Sequence, residues 1–413
     1  MKKELMLVAM AACLFAGCKS NENEIIETPP ATVKPYEPVV LNAEAELALV
    51  KSGNDFSFTL FKEIDKQAKE ENLFVSPLGV SAALSMVTNG ANGLTAEEMF
   101  QALAFNGYTQ DEVNAYYKKL SESLVNADPQ VKLALANSIW VNEGFPVLPA
   151  FLEVNKACYD AEVRTLPFDK AAMDAINQWS ADKTYNCVPK ILDQISEGLK
   201  VILLNALYFK GTWTTRFDKN VTQNAGFLKK DGTYADVRMM YANMETNHTA
   251  ENDYFNIVEL PYGNKAYNML VLILKKDASM EQAMAALNSE NLARWEKTFS
   301  NEEITVGLPR FKQESDIELI SVMNVLGMKL AFSREADFSK MTERQVSIGL
   351  LHQRTFIEVN EEGSEAGATT IVGMDESSVD MNPYEANRPF IFMIRENSTK
   401  AVLFMGKIGN PKE

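Results

Sequence analysis

The residues whose types and spacing are most unusual form the run 361–370, and their pattern predicts movement rather than catalysis. The run follows a segment of β-forming residues, 354–360, so the chain reaches Glu361 in an extended conformation. If this strand continued, every second residue would lie on one face. That face would hold Ser364, Ala366, Ala368, Thr370, Val372 and Met374, none of which is charged. Because glycines and small residues make a weak resident strand, we predict an exposed loop that can become a strand.

The motifs of common enzymes are absent from the sequence. There is no His-Glu-x-x-His and no glycine-rich phosphate loop ending in Lys, and the serine in 363–367 stands one position too early for a nucleophile elbow. A catalytic triad would need His248 or His352, and no cluster of His and Cys suggests a metal site. Cys158 and Cys187 could pair in an exported protein, but we favour two thiols. We therefore predict that the protein is not an enzyme and needs no cofactor or metal.

Length and charge limit the partners of the chain. At 413 residues with 46% hydrophobic content, it can bury a large core. The 56 acidic residues outnumber the 40 basic ones and leave a formal charge of −16. Such a charge repels polyanions, so nucleic acid is not an expected partner. No internal linker divides residues 42–413, which we predict to be one domain, and we expect this domain to be a monomer.

The N-terminus has the pattern of a targeting segment. Two lysines precede the apolar run 5–15, and small residues lead into Cys18. This pattern is similar to a bacterial lipoprotein signal, in which the cysteine is lipidated. We predict a signal peptide at 1–17, a lipid on Cys18 with a proline-rich tether over 18–41, and an outer-membrane lipoprotein that faces the periplasm or the outside. An ordinary signal peptide cut near Ala16 would instead release a secreted protein.

Strand-like and helix-like segments come in mixed order, which predicts an α+β fold with a large mixed sheet. Large apolar residues alternate with small ones over 131–141, as in a strand beneath a helix, and 201–209 is a nearly continuous apolar strand. Thr95 and Glu98 have the spacing of a capping box that opens a short helix. Further helices are predicted at 174–185, 279–296 and 317–326.

The run 361–370 and four further stretches resemble motifs of the serpin family, and they occur in the serpin order. The four stretches are 72–84, 204–213, 308–311, and 387–395 running on to 404–408. The resemblance covers about residues 42–411. It implies three β-sheets, eight or nine helices and an exposed reactive-centre loop. The hinge of that loop would consist of Glu361, Gly363, Ser364, Glu365, Ala366, Gly367, Ala368, Thr369 and Thr370.

The resemblance also implies that the chain inhibits serine or cysteine proteases as a suicide substrate. A protease would cut the loop and form an acyl complex, and the cut loop would then insert into the main sheet. Counting residues from Glu361, as in the family, places the cut after Ser377, and counting back from Pro389 places it after Ser378. Glu376 is the neighbouring candidate. Small residues there suit an elastase-like or subtilisin-like protease. The alternatives are a non-inhibitory serpin that acts as a structural or carrier lipoprotein, and a surface-binding lipoprotein or hydrolase of another class.

Two further expectations come from the resemblance. Ser76, Asn205 and His352 match a buried polar cluster of the family, in which the histidine is hydrogen-bonded to the asparagine. Some serpins are activated by sulfated polysaccharides through a basic helix, but the corresponding helix here carries only Lys118 and Lys119. We therefore expect no heparin-type activation.

Overall fold

The computed structural model of the protein describes residues 35–39, 41, 44–68, 70–364 and 382–413. Several predicted functional residues lie outside this part of the chain. They are Cys18, the hinge residues Glu365, Ala366, Gly367, Ala368, Thr369 and Thr370, and the candidates for the cut, Glu376, Ser377 and Ser378.

Nine α-helices lie in the described residues, and some begin where the sequence supplies a cap. They are α1 (Glu44–Ala68), α2 (Pro77–Thr88), α3 (Gly93–Ala102), α4 (Gln110–Asn126), α5 (Pro149–Tyr159), α6 (Lys170–Lys183), α7 (Met280–Ala286), α8 (Ser289–Glu296) and α9 (Ile320–Val325). Helix α4 begins with a true capping box, because Thr109 and Glu112 each accept a hydrogen bond from the other's backbone N–H. None of these described helices is long and apolar enough to cross a membrane.

The described strands form two sheets. They are β1 (Leu73–Val75), β2 (Lys132–Asn142), β3 (Glu162–Leu166), β4 (Val201–Thr212), β5 (Gln223–Leu228), β6 (Tyr234–Glu251), β7 (Phe255–Tyr262), β8 (Tyr267–Leu274), β9 (Ser300–Pro309), β10 (Phe311–Glu318), β11 (His352–Asn360), β12 (Gly363–Ser364), β13 (Phe390–Glu396) and β14 (Val402–Ile408). The first sheet has six strands in the order β10-β11-β12-β4-β2-β3, and it contains the start of the hinge.

The second sheet has eight strands. Seven follow the order β1-β14-β13-β8-β7-β6-β5, and β9 also pairs with β6. Strand β6 is 18 residues long, and it pairs with β5 near its start and with β7 near its end. The resemblance implied three sheets, and this long strand joins the strands outside the hinge-containing sheet into one hydrogen-bonded network.

Helix α6 corresponds to the helix predicted at 174–185, and it packs on one face of the six-stranded sheet. Ile176 and Trp179 of α6 pack against Trp140 of β2 and Leu204 of β4. Alternate residues of β4, such as Phe209, lie in the main core instead. Because successive side chains of a strand point to opposite faces, the apolar residues of β4 divide between the α6 side and the main core.

Three predicted boundaries are wrong for local reasons. Thr95 does not cap α3, because Asn92 precedes that helix and the Thr95 hydroxyl accepts a hydrogen bond from the Asp337 N–H at 2.9 Å. The predicted helix 279–296 is two helices, because Asn288 caps the second one. Ile317 belongs to β10, so α9 is shorter than the pattern indicated.

Candidate functional site

The candidate site is the point where the hinge enters the six-stranded sheet. Gly363 and Ser364 form β12, in which Ser364 stands opposite Val359 of β11 and Gly211 of β4. Both pairings are antiparallel. In the ladders formed by the described residues, β4 pairs with β2 and β12, and β11 pairs with β10 and β12. The hinge therefore supplies the central strand of this sheet at one end.

Gly363 fits this position because it has no side chain. A Cβ atom there would collide with the carbonyl oxygen of Gly211 and lie 2.8 Å from the Thr212 Cα. The backbone φ of Gly363 is +156°, which L-residues with a side chain rarely adopt. Only glycine therefore lets the hinge pass this close to β4.

Ser364 begins the uncharged face of the predicted strand, and its side chain is buried. The Ser364 hydroxyl lies 2.6 Å from the hydroxyl of Tyr262, and Ser364 is 1% exposed. The Tyr262 ring is stacked on Trp213 with ring centroids 4.4 Å apart. Burial strongly raises the pKa of Tyr262, so its hydroxyl stays protonated and able to donate. The first inward residue of the hinge thus points into the core, as the alternation predicted.

Glu361 anchors the chain just before β12. Its carboxylate accepts hydrogen bonds from Arg310 Nε at 2.9 and 3.0 Å, from Arg310 Nη2 at 2.5 Å and from Thr222 Oγ1 at 2.6 Å. Burial alone would raise the pKa of Glu361, but the hydrogen bonds from Arg310 and Thr222 outweigh it and hold the pKa below its usual value. The neighbouring Glu362 differs, because it pairs with Lys219 at the surface.

The predicted polar cluster is present around Ser76, but its composition needs a correction. Gln353 replaces His352 there: the Gln353 side chain accepts from the Ser76 N–H at 2.8 Å and donates to the Ser76 carbonyl at 3.0 Å. His352 lies on the opposite face of β11 and contacts Asp316. The prediction was displaced by one residue, and a one-residue displacement on a strand moves a side chain to the other face.

Asn205 reaches this cluster from β4. Its Nδ2 donates to Asn137 Oδ1 at 2.9 Å, whereas its buried Oδ1 accepts no hydrogen bond from the described residues. A Cβ on Gly79 would lie 2.5 Å from this oxygen and 3.3 Å from Gln353 Nε2. Asn205 Oδ1 therefore lies between α2, β4 and β11. At this point β4 and β11, the two strands that flank β12, both approach α2.

A cavity of about 470 Å³ lies at the end of the sheet opposite to β12. It is lined by the first residues of β4, by the segment that leads into β11 and by α2. Its apolar lining includes Leu84, Val87, Val201, Leu203, Met341 and Leu351. We call it the foot cavity.

Sequence reasoning missed the partners that hold the hinge. Arg310, Thr222 and Tyr262 come from three different strands or loops, and no spacing in the sequence brings them together. Arg310 did lie within one of the recognised stretches, 308–311, but nothing there indicated its partner. For Gln353 a usable signal existed, because strand alternation places it on the same face as Val359.

The fold, in which Gly363 and Ser364 pair between β11 and β4, is similar to that of a solved serpin structure. The family model described as serpin (serine protease inhibitor) matches residues 51–411. The chain belongs to the serpin family.

The chain is similar to one curated protein and two solved structures over nearly its whole length. An uncharacterized serpin-like protein of Methanosarcina mazei is 30% identical over 99% of this chain and 98% of its own length. The thermophilic serpin tengpin in its native state matches with a TM-score of 0.80 and 29% identity, covering 91% of this chain and 97% of tengpin. Thyroxine-binding globulin in complex with thyroxine matches with a TM-score of 0.81 and 26% identity, covering 89% of this chain and 100% of that protein.

Proposed function

We propose that this serpin inhibits serine or cysteine endopeptidases as a suicide substrate. The observation that carries the proposal is the pairing of Gly363 and Ser364 between β11 and β4. The inward residues that follow, from Ala366 to Met374, are uncharged. Charge on this face would have to be buried during insertion at a cost of several kcal/mol, and none is present.

In the proposed mechanism, the chain acts as a substrate that is not released. The protease nucleophile attacks the carbonyl carbon of Ser377 or Ser378, the bond to the next residue's nitrogen breaks, and that amine takes a proton and leaves with the C-terminal fragment. The protease remains bound to the N-terminal part as an acyl ester or thioester. The freed segment then enters the sheet before water hydrolyses that bond. About ten new ladder hydrogen bonds at about 1 kcal/mol each would accompany insertion. This is comparable with the 5–15 kcal/mol that stabilises a typical domain, so it can distort the protease.

The identity of the cut bond decides the protease class. Small residues at Ser377 and Ser378 fit an elastase-like or subtilisin-like enzyme, whereas cleavage after Glu376 fits a glutamate-specific one. A trypsin-like target is not expected, because no Lys or Arg lies between Glu376 and Pro383. The mass of the released C-terminal fragment identifies the bond, and a fragment that begins outside 377–379 would contradict the assignment.

Mixing the protein with a panel of proteases tests inhibition directly. We expect a band on a denaturing gel at the summed mass of the protease and the N-terminal fragment. A matched reaction with the protease blocked at its nucleophile should show no such band. Cleavage without a covalent complex would contradict the proposal.

A carrier function is the second candidate, and two observations favour it. Thyroxine-binding globulin, which is similar to this chain, binds thyroxine. The foot cavity also offers a volume of about 470 Å³ with both apolar and polar lining residues. Under this alternative, proteases would cut the segment after Ser364 without becoming trapped.

We also propose that the protein is a lipoprotein anchored through Cys18 to the outer membrane. The support is the signal-like pattern of residues 1–17. A Cys18→Ala variant should move from the membrane fraction to the soluble fraction, because the lipid has no attachment site. A Cys158→Ala variant is the matched control and should stay with the membrane. Membrane retention of both variants would contradict the anchor.

A further inference from the structure

We propose that the foot cavity binds a free alkyl carboxylate, such as a medium-chain fatty acid, with its alkyl chain in the buried part of the cavity and its carboxylate beside Lys200 at the mouth. This inference rests on the carrier function given above as the second candidate, and it adds the class of ligand and the residue that selects it. It does not depend on protease inhibition, because binding is measured on the uncut protein.

The buried part of the foot cavity is suited to an alkyl chain. Four of its apolar lining residues are each at most 6% exposed, and they are Leu84, Val87, Phe338 and Met341. Alkyl carbons gain free energy when they leave water for such surroundings. The volume of about 470 Å³ lies within the range of about 300–1,000 Å³ that is usual for small-molecule sites. A chain of several CH₂ groups is therefore the portion of a ligand that this part would hold.

The mouth of the foot cavity is polar and exposed to solvent. It is formed by parts of the segments 196–200 and 345–349, which precede β4 and β11. Its exposed side chains include Ser196, Lys200 and Ser347. An ammonium group and two hydroxyls can all donate hydrogen bonds to a carboxylate. The cavity thus combines an apolar interior with an opening that favours a polar head group.

Backbone hydrogen bonds hold both walls of the mouth in place. The Asn142 N–H donates to the Lys200 carbonyl at 2.8 Å. On the other wall, the Ile348 N–H donates to the Ala331 carbonyl at 2.8 Å. The opening is therefore formed before a ligand arrives, as is usual for small-molecule sites.

The charges of the lining residues favour an anion. None of the described residues that line the foot cavity is Asp or Glu, although the chain contains 56 acidic residues. Lys200 supplies a positive charge that forms no ion pair with another described residue. His352, the other basic lining residue, already contacts Asp316. At physiological salt, charges more than about 8 Å away are largely screened, so the overall negative charge of the chain does not decide binding here.

Calorimetric titration of the uncut protein with octanoate, decanoate and dodecanoate, each below its micelle-forming concentration, tests the site for the alkyl chain. The affinity should rise by up to about fourfold for each added CH₂ group until the cavity is full. Ala83→Phe places a ring in the cavity from α2, and it should weaken decanoate binding by about tenfold or more, as expected when two CH₂ groups are displaced. Ala157→Phe is the matched control, because Ala157 is an exposed residue of α5 that does not line the cavity.

Lys200→Gln tests the site for the head group, and the exposed position makes a change in folding unlikely to follow from it. We expect it to weaken decanoate binding by about threefold, as for the loss of one exposed ion pair. Binding of decanol should not change, because the alcohol carries no charge. Lys276→Gln alters an exposed lysine that does not line the cavity, and it should bind both probes like the wild type.

Equal affinities for the three carboxylates, or wild-type binding of decanoate by Ala83→Phe, would overturn the site. An equal loss of decanoate and decanol binding in Lys200→Gln, or an equal loss of decanoate binding in Lys276→Gln, would overturn the role of Lys200. Protease trapping by the same preparation is a separate result. A protein that traps no protease but binds decanoate in the expected pattern would lose the proposed inhibition and keep this site, whereas one that traps a protease and binds no decanoate would lose this site alone.

Discussion

Glu361 shows how single residues hold the hinge in place. Its carboxylate binds Arg310 in a forked geometry and also accepts from Thr222, and its side chain is 3% exposed. These contacts fix the residue two positions before β12. The start of the hinge is therefore held by charge, whereas the inward residues that follow, from Ser364 to Met374, carry none.

Replacing this carboxylate should weaken the uncut protein in a pH-dependent way. Glu361→Gln should lower the unfolding free energy at pH 7 by roughly 1–3 kcal/mol, because the hydrogen bonds lose their charge. The folded pKa of Glu361 lies below its unfolded value, so its contribution is complete above about pH 4.3 and is lost as the pH falls through the folded pKa. The difference between wild type and variant should hold from pH 8 to 5 and shrink below about pH 4.

Thermal unfolding across this pH range provides the measurement. Glu362→Gln is the matched control, because the side chain of Glu362 is 46% exposed and pairs with Lys219. It should change stability by less than about 1 kcal/mol. A loss that is equal for both variants, or that grows at low pH, would contradict the anchoring role of Glu361.

At the scale of elements, β12 comprises two of the described residues and lies between β11 and β4. Gly363→Ala should disrupt the pairing of β12 with β4, because the new Cβ would collide with the Gly211 carbonyl and the Thr212 backbone. We expect a loss of more than about 1 kcal/mol in unfolding free energy and faster cleavage by non-target proteases in 361–370. Gly198→Ala is the control, because a Cβ there meets nothing within 4 Å. Wild-type cleavage and stability for Gly363→Ala would show that the hinge tolerates a side chain here.

Elements were predictable from sequence where one strong pattern dominated. The strand around 131–141 and the helix around Trp179 were found because their apolar periodicities are distinct. Helix ends were harder, because Thr95 has the spacing of a cap but its hydroxyl is used by the distant Asp337 N–H. His352 was predicted in the polar cluster in place of Gln353 for a similar reason. The resemblance indicated which type of residue to expect, but the pairing of β11 with its neighbours determines which side chain faces the cluster.

At the scale of the whole molecule, the hinge-containing sheet is a structure that insertion would complete. An inserted segment would add about ten ladder hydrogen bonds at about 1 kcal/mol each, so the uncut fold would be a kinetically trapped state. The serpin fold could be predicted because recognisable stretches recur along nearly the whole domain. The sequence did not predict that β6 joins the other strands into one sheet, because pairing between distant strands leaves no local signal.

The most direct test of the account compares two arginines on adjacent residues of the hinge. In the register set by Ser364, Ala366 comes opposite Phe209 and Ile357, which are buried in the core. Glu365 would lie on the other face. Arginine at the inward position would have to be buried without a partner at a cost of several kcal/mol, whereas arginine at the outward position would not.

The stoichiometry of inhibition of Ala366→Arg and Glu365→Arg against one protease is the deciding measurement. We expect both variants to be cut at the wild-type rate. Ala366→Arg should need at least about tenfold more inhibitor per protease, as expected for more than 1.4 kcal/mol lost at the insertion step, and behave as a substrate. Glu365→Arg should inhibit like wild type. Full inhibition by Ala366→Arg, or an equal loss in both variants, would contradict the insertion of this segment into the sheet.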